Sequence, residues 1–295
     1  MKNTSFIFLL ITTIILSACH TKKQSNTDDS TSIENPYLGQ KPPGLQPKLF
    51  APDIVSTGKH LEIEGVFAPN MKEFYFTRQV QGEVPKTHII QYKNKEWQTI
   101  AEEPRTGEVS ISTDGNTMYL GNEYKKRTES GWSAQKSLGS QFKKYPIMRL
   151  TASNTETYVF DERDTIGTIR YSRLINGKHE TPKAFSEVIN TGKWTGHPFI
   201  APDESYIIWD SEREGGYGNS DLYISFRQKD GSWGSAINMG PEINTEFEDA
   251  FGSVTPDGKY FFYHTVYISS ESFAKSHANI FWVDAQVIEN LRSKQ

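Results

Sequence analysis

Five places in this sequence hold the same position relative to a turn, and several carry groups that could do chemistry together. Six residues before each of five Pro/Asp/Gly-type turns stand Glu64, Glu108, Ile147, His197 and Phe251. Arg149, Glu248 and Asp249 lie close by in the sequence. Acids and a histidine are the side chains that general acid–base chemistry uses. Two carboxylates roughly 5–9.5 Å apart, one of them protonated, are the apparatus of glycoside hydrolysis. The same groups gathered in a concavity would bind a ligand without turning it over. Glu64, Glu108, Arg149, His197 and Asp249 are therefore the candidate binding residues. Spacing alone assigns no catalytic residue among them.

The elements that must position these groups repeat. Residues 65–76, 109–120, 149–160, 198–209 and 252–263 each run from an extended stretch through a turn into a strand rich in aromatic and β-branched residues. Proline presets φ at the first turn position, Asp or Asn caps the turn, and Gly tolerates φ > 0. The third copy lacks the Pro-Asp-Gly letters. With Asn70, Asp114, Ser153, Asp203 and Asp257 taken as equivalent, the spacings are 44, 39, 50 and 54 residues. A period near 45 suits a four-stranded propeller blade. After each turn comes a further strand and a second polar turn, ending near Trp97, Trp132 and Trp233 in three copies. These tryptophans are expected to pack between blades.

The fifth copy lacks an outer strand, and residues 48–56 resemble one. The expected fold is an all-β propeller of four-stranded blades, five in number with six as the alternative. An N-terminal strand closes the last blade and so removes exposed strand edges. Residues 285–292 are the one segment with helical periodicity, placing Val287, Ile288 and Leu291 on one face. In such a fold the innermost strands line a central channel, so the equivalent positions point at one axis. The run from Asp161 to Asp164 is expected as a solvated hairpin turn, with a calcium or ligand loop as the alternative.

Composition agrees with thin sheets. Of 295 residues, 36% are apolar and 13% aromatic, and the mean hydropathy is −0.60. The net charge of −4 argues against a nucleic-acid partner, which needs clustered positive charge. One cysteine excludes an internal disulfide and a paired-cysteine metal site. The seven histidines show no helical pair, so no metal site and no cofactor are expected.

The lone Cys19 ends the sequence Leu16-Ser17-Ala18-Cys19, which follows Lys2 and an apolar run over residues 6–16. That run is too short to span a bilayer and suits a signal peptide. The four residues resemble the bacterial lipobox. The resemblance implies cleavage before Cys19, its lipidation, and a membrane held through that anchor. Residues 1–19 are thus expected as a lipoprotein signal peptide, 20–43 as a flexible polar tether, and 44–295 as the propeller. The residue after Cys19 is His rather than Asp, which leans towards the outer membrane of the cell envelope, with the face unassigned.

Residues 210–225, running from Asp210-Ser-Glu-Arg through Gly-Gly-Tyr-Gly to Asp-Leu-Tyr, resemble the signature hairpin of the TolB-type, WD-like propeller repeats. Residues 238–257 are similar to the family's passage into its next turn. The likeness covers roughly residues 44–284 and implies a secreted propeller. The family implies little about the ligand, because such repeats serve many roles. Three function classes stay open: a binding module for an envelope protein or a glycan, a glycan-active hydrolase using the channel carboxylates, and a structural scaffold whose blade faces dock partner envelope proteins.

Overall fold

Strands form here because short runs of aromatic and β-branched residues alternate with tight polar turns. In the computed structural model, residues 33, 35–164, 166–272 and 275–293 are described. Cys19 and the signal peptide lie outside the described residues. So do 20–32 and 34 of the expected tether.

The chain is an all-β propeller of antiparallel four-stranded groups; the second group also takes in the short strand Gly131–Trp132, and a parallel pairing of Leu61 with Ala278 joins the first group to the last. The first blade comprises Leu61–Phe67, Glu73–Gln79, Lys86–Lys93 and Glu96–Pro104. The second comprises Val109–Ile111, Thr117–Leu120, Glu123–Thr128 and Lys136–Ser137. The third comprises Ile147–Ala152, Tyr158–Glu162, Ile169–Ser172 and Lys183–Ala184. The fourth comprises Lys193–Ile200, Tyr206–Glu212, Asp221–Phe226 and Ile237–Asn238. The last comprises Glu248–Val254, Tyr260–Tyr267 and His277–Asp284. Its fourth strand is Lys48–Leu49 from the N-terminal side, with Lys48 opposite Trp282 and Leu49 opposite Phe281. The innermost strands touch in sequence order, and the last touches the first.

The core is not one mass but a set of seams between neighbouring blades. The seam between the last and first blades is the most aromatic, with Phe50, Phe67, Phe74, Phe76, Phe262 and Trp282 all buried. The seam between the first and second holds Ala68, Tyr75, Val109, Met118 and Leu120. The tryptophans after the outer turns join such seams. Trp132 donates its Nε1–H to Tyr75 Oη at 3.1 Å across two blades, and Trp233 meets Phe185 edge-on across two others. The helix Gln286–Arg292 buries Ile288 and Leu291 against the fourth and last blades.

The expected tether needs correction at its C-terminal end, where Tyr37 and Pro43 are buried within residues 35–43. Tyr37 is buried edge-on against Tyr260, with ring centroids 4.8 Å apart, and its hydroxyl donates to Asp257. Gln40 bonds the backbone on both sides of Phe50: its Nε2 donates to Leu49 O at 2.8 Å and its Oε1 accepts from Ala51 N at 2.7 Å. One aromatic in a polar stretch is enough to pin the segment, because burying a Tyr ring outweighs the low apolar content around it.

Candidate functional site

Each innermost strand except the second is interrupted at the same level. Register shifts fall between Ile63 and Val66, Ile147 and Leu150, Gly196 and Phe199, and Ala250 and Ser253. Glu64, His197 and Phe251 sit there with φ of 63°, 46° and 61°. Such backbone costs a non-glycine residue of order 1–3 kcal/mol and is kept where surroundings enforce it. The bulge re-aims a side chain, here towards the axis. Gly252, directly after Phe251, is required by the crowding this creates, since a Cβ there would lie 2.7 Å from Ile208 Cγ2.

The turns themselves give the equivalences. The N–H groups of Ala68, Ser112, Ser153, Ala201 and Thr255 close the five turns on the carbonyls of Glu73, Thr117, Thr157, Tyr206 and Tyr260. Four residues before each closing N–H stand Glu64, Glu108, Arg149, His197 and Phe251. Arg149, not Ile147, is thus the third blade's member of the ring. Ile147 is buried in the seam between the second and third blades. The third turn is one residue shorter than the others, so an alignment on Ser153 as the turn Asp slips by two.

On one side of the ring, Arg105 ties the two glutamates together. Its Nη2 is 2.5 Å from Glu64 Oε1 and 3.2 Å from Glu108 Oε1, and its Nε donates to Glu64 Oε2 at 3.0 Å. Thr77 Oγ1 adds a bond to Glu64 Oε2 at 2.7 Å. On the other side, Asp210 holds His197 through Nδ1 at 2.9 Å and accepts the Phe251 N–H at 3.2 Å. The remaining His197 nitrogen, Nε2, faces Glu108 Oε1 at 3.7 Å. Asp161 accepts the backbone N–H groups of Arg149 at 2.8 Å and His197 at 2.7 Å. It is fully buried in the second strand of its blade, which runs on to Glu162, so the expected solvated turn begins only after Glu162.

Arg149 crosses the axis. Its guanidinium lies 3.6 Å from the Phe251 ring centroid, and its Nη1 donates to the carbonyls of His197 at 3.0 Å and Gly252 at 3.2 Å. The residue is 1% exposed. Among the described residues, two buried atoms in this cluster have no hydrogen-bond partner, Arg149 Nε and Glu108 Oε2.

Asp249 does not join the ring. Its Oδ2 accepts from Thr245 N at 2.5 Å and Thr245 Oγ1 at 2.9 Å, and its Oδ1 accepts from Thr265 Oγ1 at 2.5 Å. It pins the loop entering its strand. Side chains alternate along a strand, so the neighbouring Glu248 is the residue turned to the axis, where Asp210 and His197 act on its charge.

Burial shifts the titration of these groups. Desolvation, with the nearby charges of Glu64 and Asp161, pushes the Glu108 carboxyl up to about 7 against the pull of His197 and Arg105. Burial would lower His197, but Asp210 and Glu108 outweigh it and hold the imidazole well above its ordinary range. Burial brings Arg149 down to about 10, which leaves it charged at neutral pH. His264 is held far below its ordinary range by burial and by the charges of His197 and Arg149, and its Nδ1 accepts the Glu64 N–H at 3.3 Å. The ring and its supports thus set five acids (Glu64, Glu108, Asp161, Asp210 and Glu248) against three cations (Arg105, Arg149 and His197).

Arg105, Asp161, Asp210 and His264 are not among the sequence candidates. For Asp210 and His264 a signal existed. Thr77, Asp210 and His264 each pair opposite the bulge, across from Ile63, Gly196 and Ala250. Each follows its turn Asn or Asp by seven residues.

No protein-family model matches the sequence, and no curated protein does. Among solved structures the chain is similar to a TolB from Agrobacterium tumefaciens at 17% identity, over 70% of each chain, with a TM-score of 0.43. It is similar to the α-L-arabinofuranosidase from Lactobacillus brevis at 10% identity, over 77% of this chain and 92% of that one, with a TM-score of 0.45. The Swd1 propeller domain of Myceliophteria thermophila matches at 13% identity, over 74% and 68%, with a TM-score of 0.39. At these values the propeller assignment rests on the strand pairing described above.

Proposed function

We propose that this propeller is a binding module for a neutral, hydroxyl-rich ligand of the glycan class, taken at the channel end where Arg105, His197 and Glu248 meet solvent. The observation that supports it most is preorganisation. Arg105 and His197 are part-exposed, at 21% and 19% of their side chains, and each is fixed from beneath by a buried carboxylate, Glu64 and Asp210. Donors locked before binding cost little entropy when a ligand arrives. The acids outnumber the cations, which disfavours an anionic ligand, while hydroxyl groups both donate and accept. Trp194, 53% exposed, lies three residues before His197 on the same inner strand and offers an apolar face to a sugar ring.

The test is calorimetric titration of the purified protein with maltose, cellobiose, xylobiose and diacetylchitobiose. At least one should bind, and His197→Gln should weaken it tenfold or more while the fold is kept. Binding by none of the four would sink the glycan reading.

A second reading, glycan hydrolysis, draws on Glu108 alone. A carboxyl raised to about 7 by burial can carry a proton near neutrality, as a general acid must. Against it, Glu64, the second carboxylate, is already bonded twice by Arg105. Hydrolysis predicts release of reducing ends that both Glu64→Gln and Glu108→Gln abolish, whereas binding alone predicts no release to lose.

The lipid anchor belongs to the same proposal. The chain would be held at the cell envelope through Cys19, in the outer membrane. Cys19→Ala should then move the protein from the membrane to the soluble fraction, and an unchanged membrane fraction would defeat this part.

A further inference from the structure

The end of the propeller opposite the binding ring is formed by the turns that follow the inner strands, and one corner of this turn end differs in charge from the rest. In the second, third and fourth blades those turns present Asp114, Glu156 and Asp203, all exposed. In the first blade the turn reads Pro69-Asn70-Met71-Lys72, with a lysine and no acid. Lys93 and Lys95 stand beside it on the hairpin into the outer strand, where Tyr92 N donates to Lys72 O at 2.7 Å and Lys93 pairs opposite Glu96. The last blade adds Lys259, 65% exposed, on its own turn. The N-terminal segment that packs on both blades adds Lys41 and Lys48, both exposed.

The acids of this corner are Glu96, Asp257 and Asp284. Asp257 already accepts from Tyr37 and from Thr255 Oγ1 at 2.6 Å, and Asp284 accepts the Gln286 N–H at 2.8 Å. Glu289, on the helix beyond them, is paired with Arg292. Positive charge therefore leads here, on a chain whose net charge is −4. Between Lys41 and Lys48 stands Leu45, 51% exposed. It is held in place through Gly44, whose carbonyl accepts the Asp284 N–H at 2.9 Å. An exposed leucine flanked by lysines suits a bilayer interface, where the apolar group enters the acyl boundary and the ammonium groups meet anionic headgroups.

The course of the chain points the same way. The carbonyl of Asn35 accepts the Trp97 Nε1–H at 2.9 Å, so the chain leading back towards Cys19 leaves the propeller at the lysine corner. The 16 residues from Cys19 to Asn35 reach at most about 55 Å. A connection that long fixes no orientation by itself.

We propose that this corner lies on an anionic lipid surface, with Lys41, Lys48, Lys72, Lys93 and Lys259 against the headgroups and Leu45 at the acyl boundary. The ring end, with Arg105, His197 and Glu248, is then presented away from the membrane. This contact does not rest on the lipid anchor, and its test leaves the anchor out.

The test uses residues 20–295, which keep every strand of the closed ring and lack both the apolar run 6–16 and Cys19. Sedimentation with vesicles of phosphatidylcholine, alone or mixed equally with phosphatidylglycerol, measures partition. The mixed vesicles should hold the protein at least tenfold more strongly, and added salt should release it. Lys41→Glu, Lys93→Glu and Lys259→Glu combined, all at exposed positions, should lower that partition tenfold or more. Without Cys19 the chain has no cysteine, so Leu45→Cys and Val84→Cys each give one site for an environment-sensitive fluorophore. The label at 45 should shift to the blue on mixed vesicles. The label at 84, a 67% exposed position on a ring-end hairpin, should not. The proposal is overturned if mixed vesicles hold no more protein than phosphatidylcholine alone, which would leave the lysines to an acidic protein surface. It is equally overturned if the triple charge reversal changes nothing, or if the label at 84 shifts in place of the label at 45. None of these failures touches the Cys19 anchor, which is tested by its own substitution.

Discussion

The two ends of the channel are built by the same inner strands, yet they use their side chains in opposite ways. At the turn end, every blade supplies small or apolar groups, and the closing residues Ala68, Ser112, Ser153, Ala201 and Thr255 are near-copies of one another in size. At the ring, the equivalent position varies: the adjacent first and second blades carry Glu64 and Glu108, and the other three carry Arg149, His197 and Phe251. The turn end is where the repeat maintains its own geometry. The ring is where the blades stop being interchangeable, so the individuality of the molecule is concentrated in one layer of side chains.

The sharpest way to break this contrast is Asp210→Ala. It removes the anion from a buried His197 and strands the Phe251 N–H, and the loss should be about 3–5 kcal/mol. Urea unfolding would measure it, and a loss below about 1 kcal/mol would mean the ring charges are not coupled.

Glu108 gives the next largest effect, and it depends on pH. Its carboxyl is raised from 4.5 to about 7 in the folded chain, so the folded state holds a proton the unfolded state has released. Its stabilising contribution is present below pH 4.5 and is lost as pH rises towards 7, by about 3 kcal/mol at most. His197, raised in the fold, adds a further loss above its ordinary range, in the same direction. Glu108→Gln should flatten the decline between pH 4.5 and 7 in thermal melts, and an unchanged slope would refute the assignment.

Asp249→Asn tests a carboxylate that lies off the axis. It should cost about 1–2 kcal/mol through the Thr245 and Thr265 bonds and leave saccharide binding as it was. A change in binding would return Asp249 to the ring. The smallest effect belongs to the turn end, where Asn154→Trp should shift stability by less than about 0.5 kcal/mol, seen as an unmoved urea midpoint.

Much of this architecture was legible in the sequence. The turn letters repeat, the aromatic strands follow them, and the N-terminal strand that completes the last blade announces itself by what the fifth repeat lacks. Counting back from the turn finds Glu64, Glu108, His197 and Phe251 without coordinates. The count fails at the third blade because Ser153 replaces the turn Asp in function rather than in position. Its hydroxyl accepts the N–H groups of Thr155 and Thr157, so the letters gave no warning of the shorter turn. Arg105 was hidden for another reason. It sits on a connector outside the repeat, and nothing in its neighbours' identity tells that it turns inward to Glu64. Asp249 and Glu248 differ only by the facing of one strand residue, which a bulge two residues later makes hard to infer.

The way the last blade is completed has a kinetic consequence. Ser56 Oγ exchanges hydrogen bonds with Ile280 O at 3.0 Å and Ile280 N at 3.1 Å, across 224 residues of chain. Contacts so distant in sequence repay their loop-closure cost late. A chain leaving the ribosome has made Phe50 and Val55 long before the strand they cover exists, and the edge of His277–Asp284 stays bare until the two ends meet. Phe50→Ala should therefore speed unfolding while leaving the folding rate nearly unchanged, the mark of contacts absent from the transition state. A slowed folding rate in stopped-flow would instead put this meeting of the ends in the nucleus. The strand that seals the ring is, on this account, also the interval during which the protein is most exposed to aggregation.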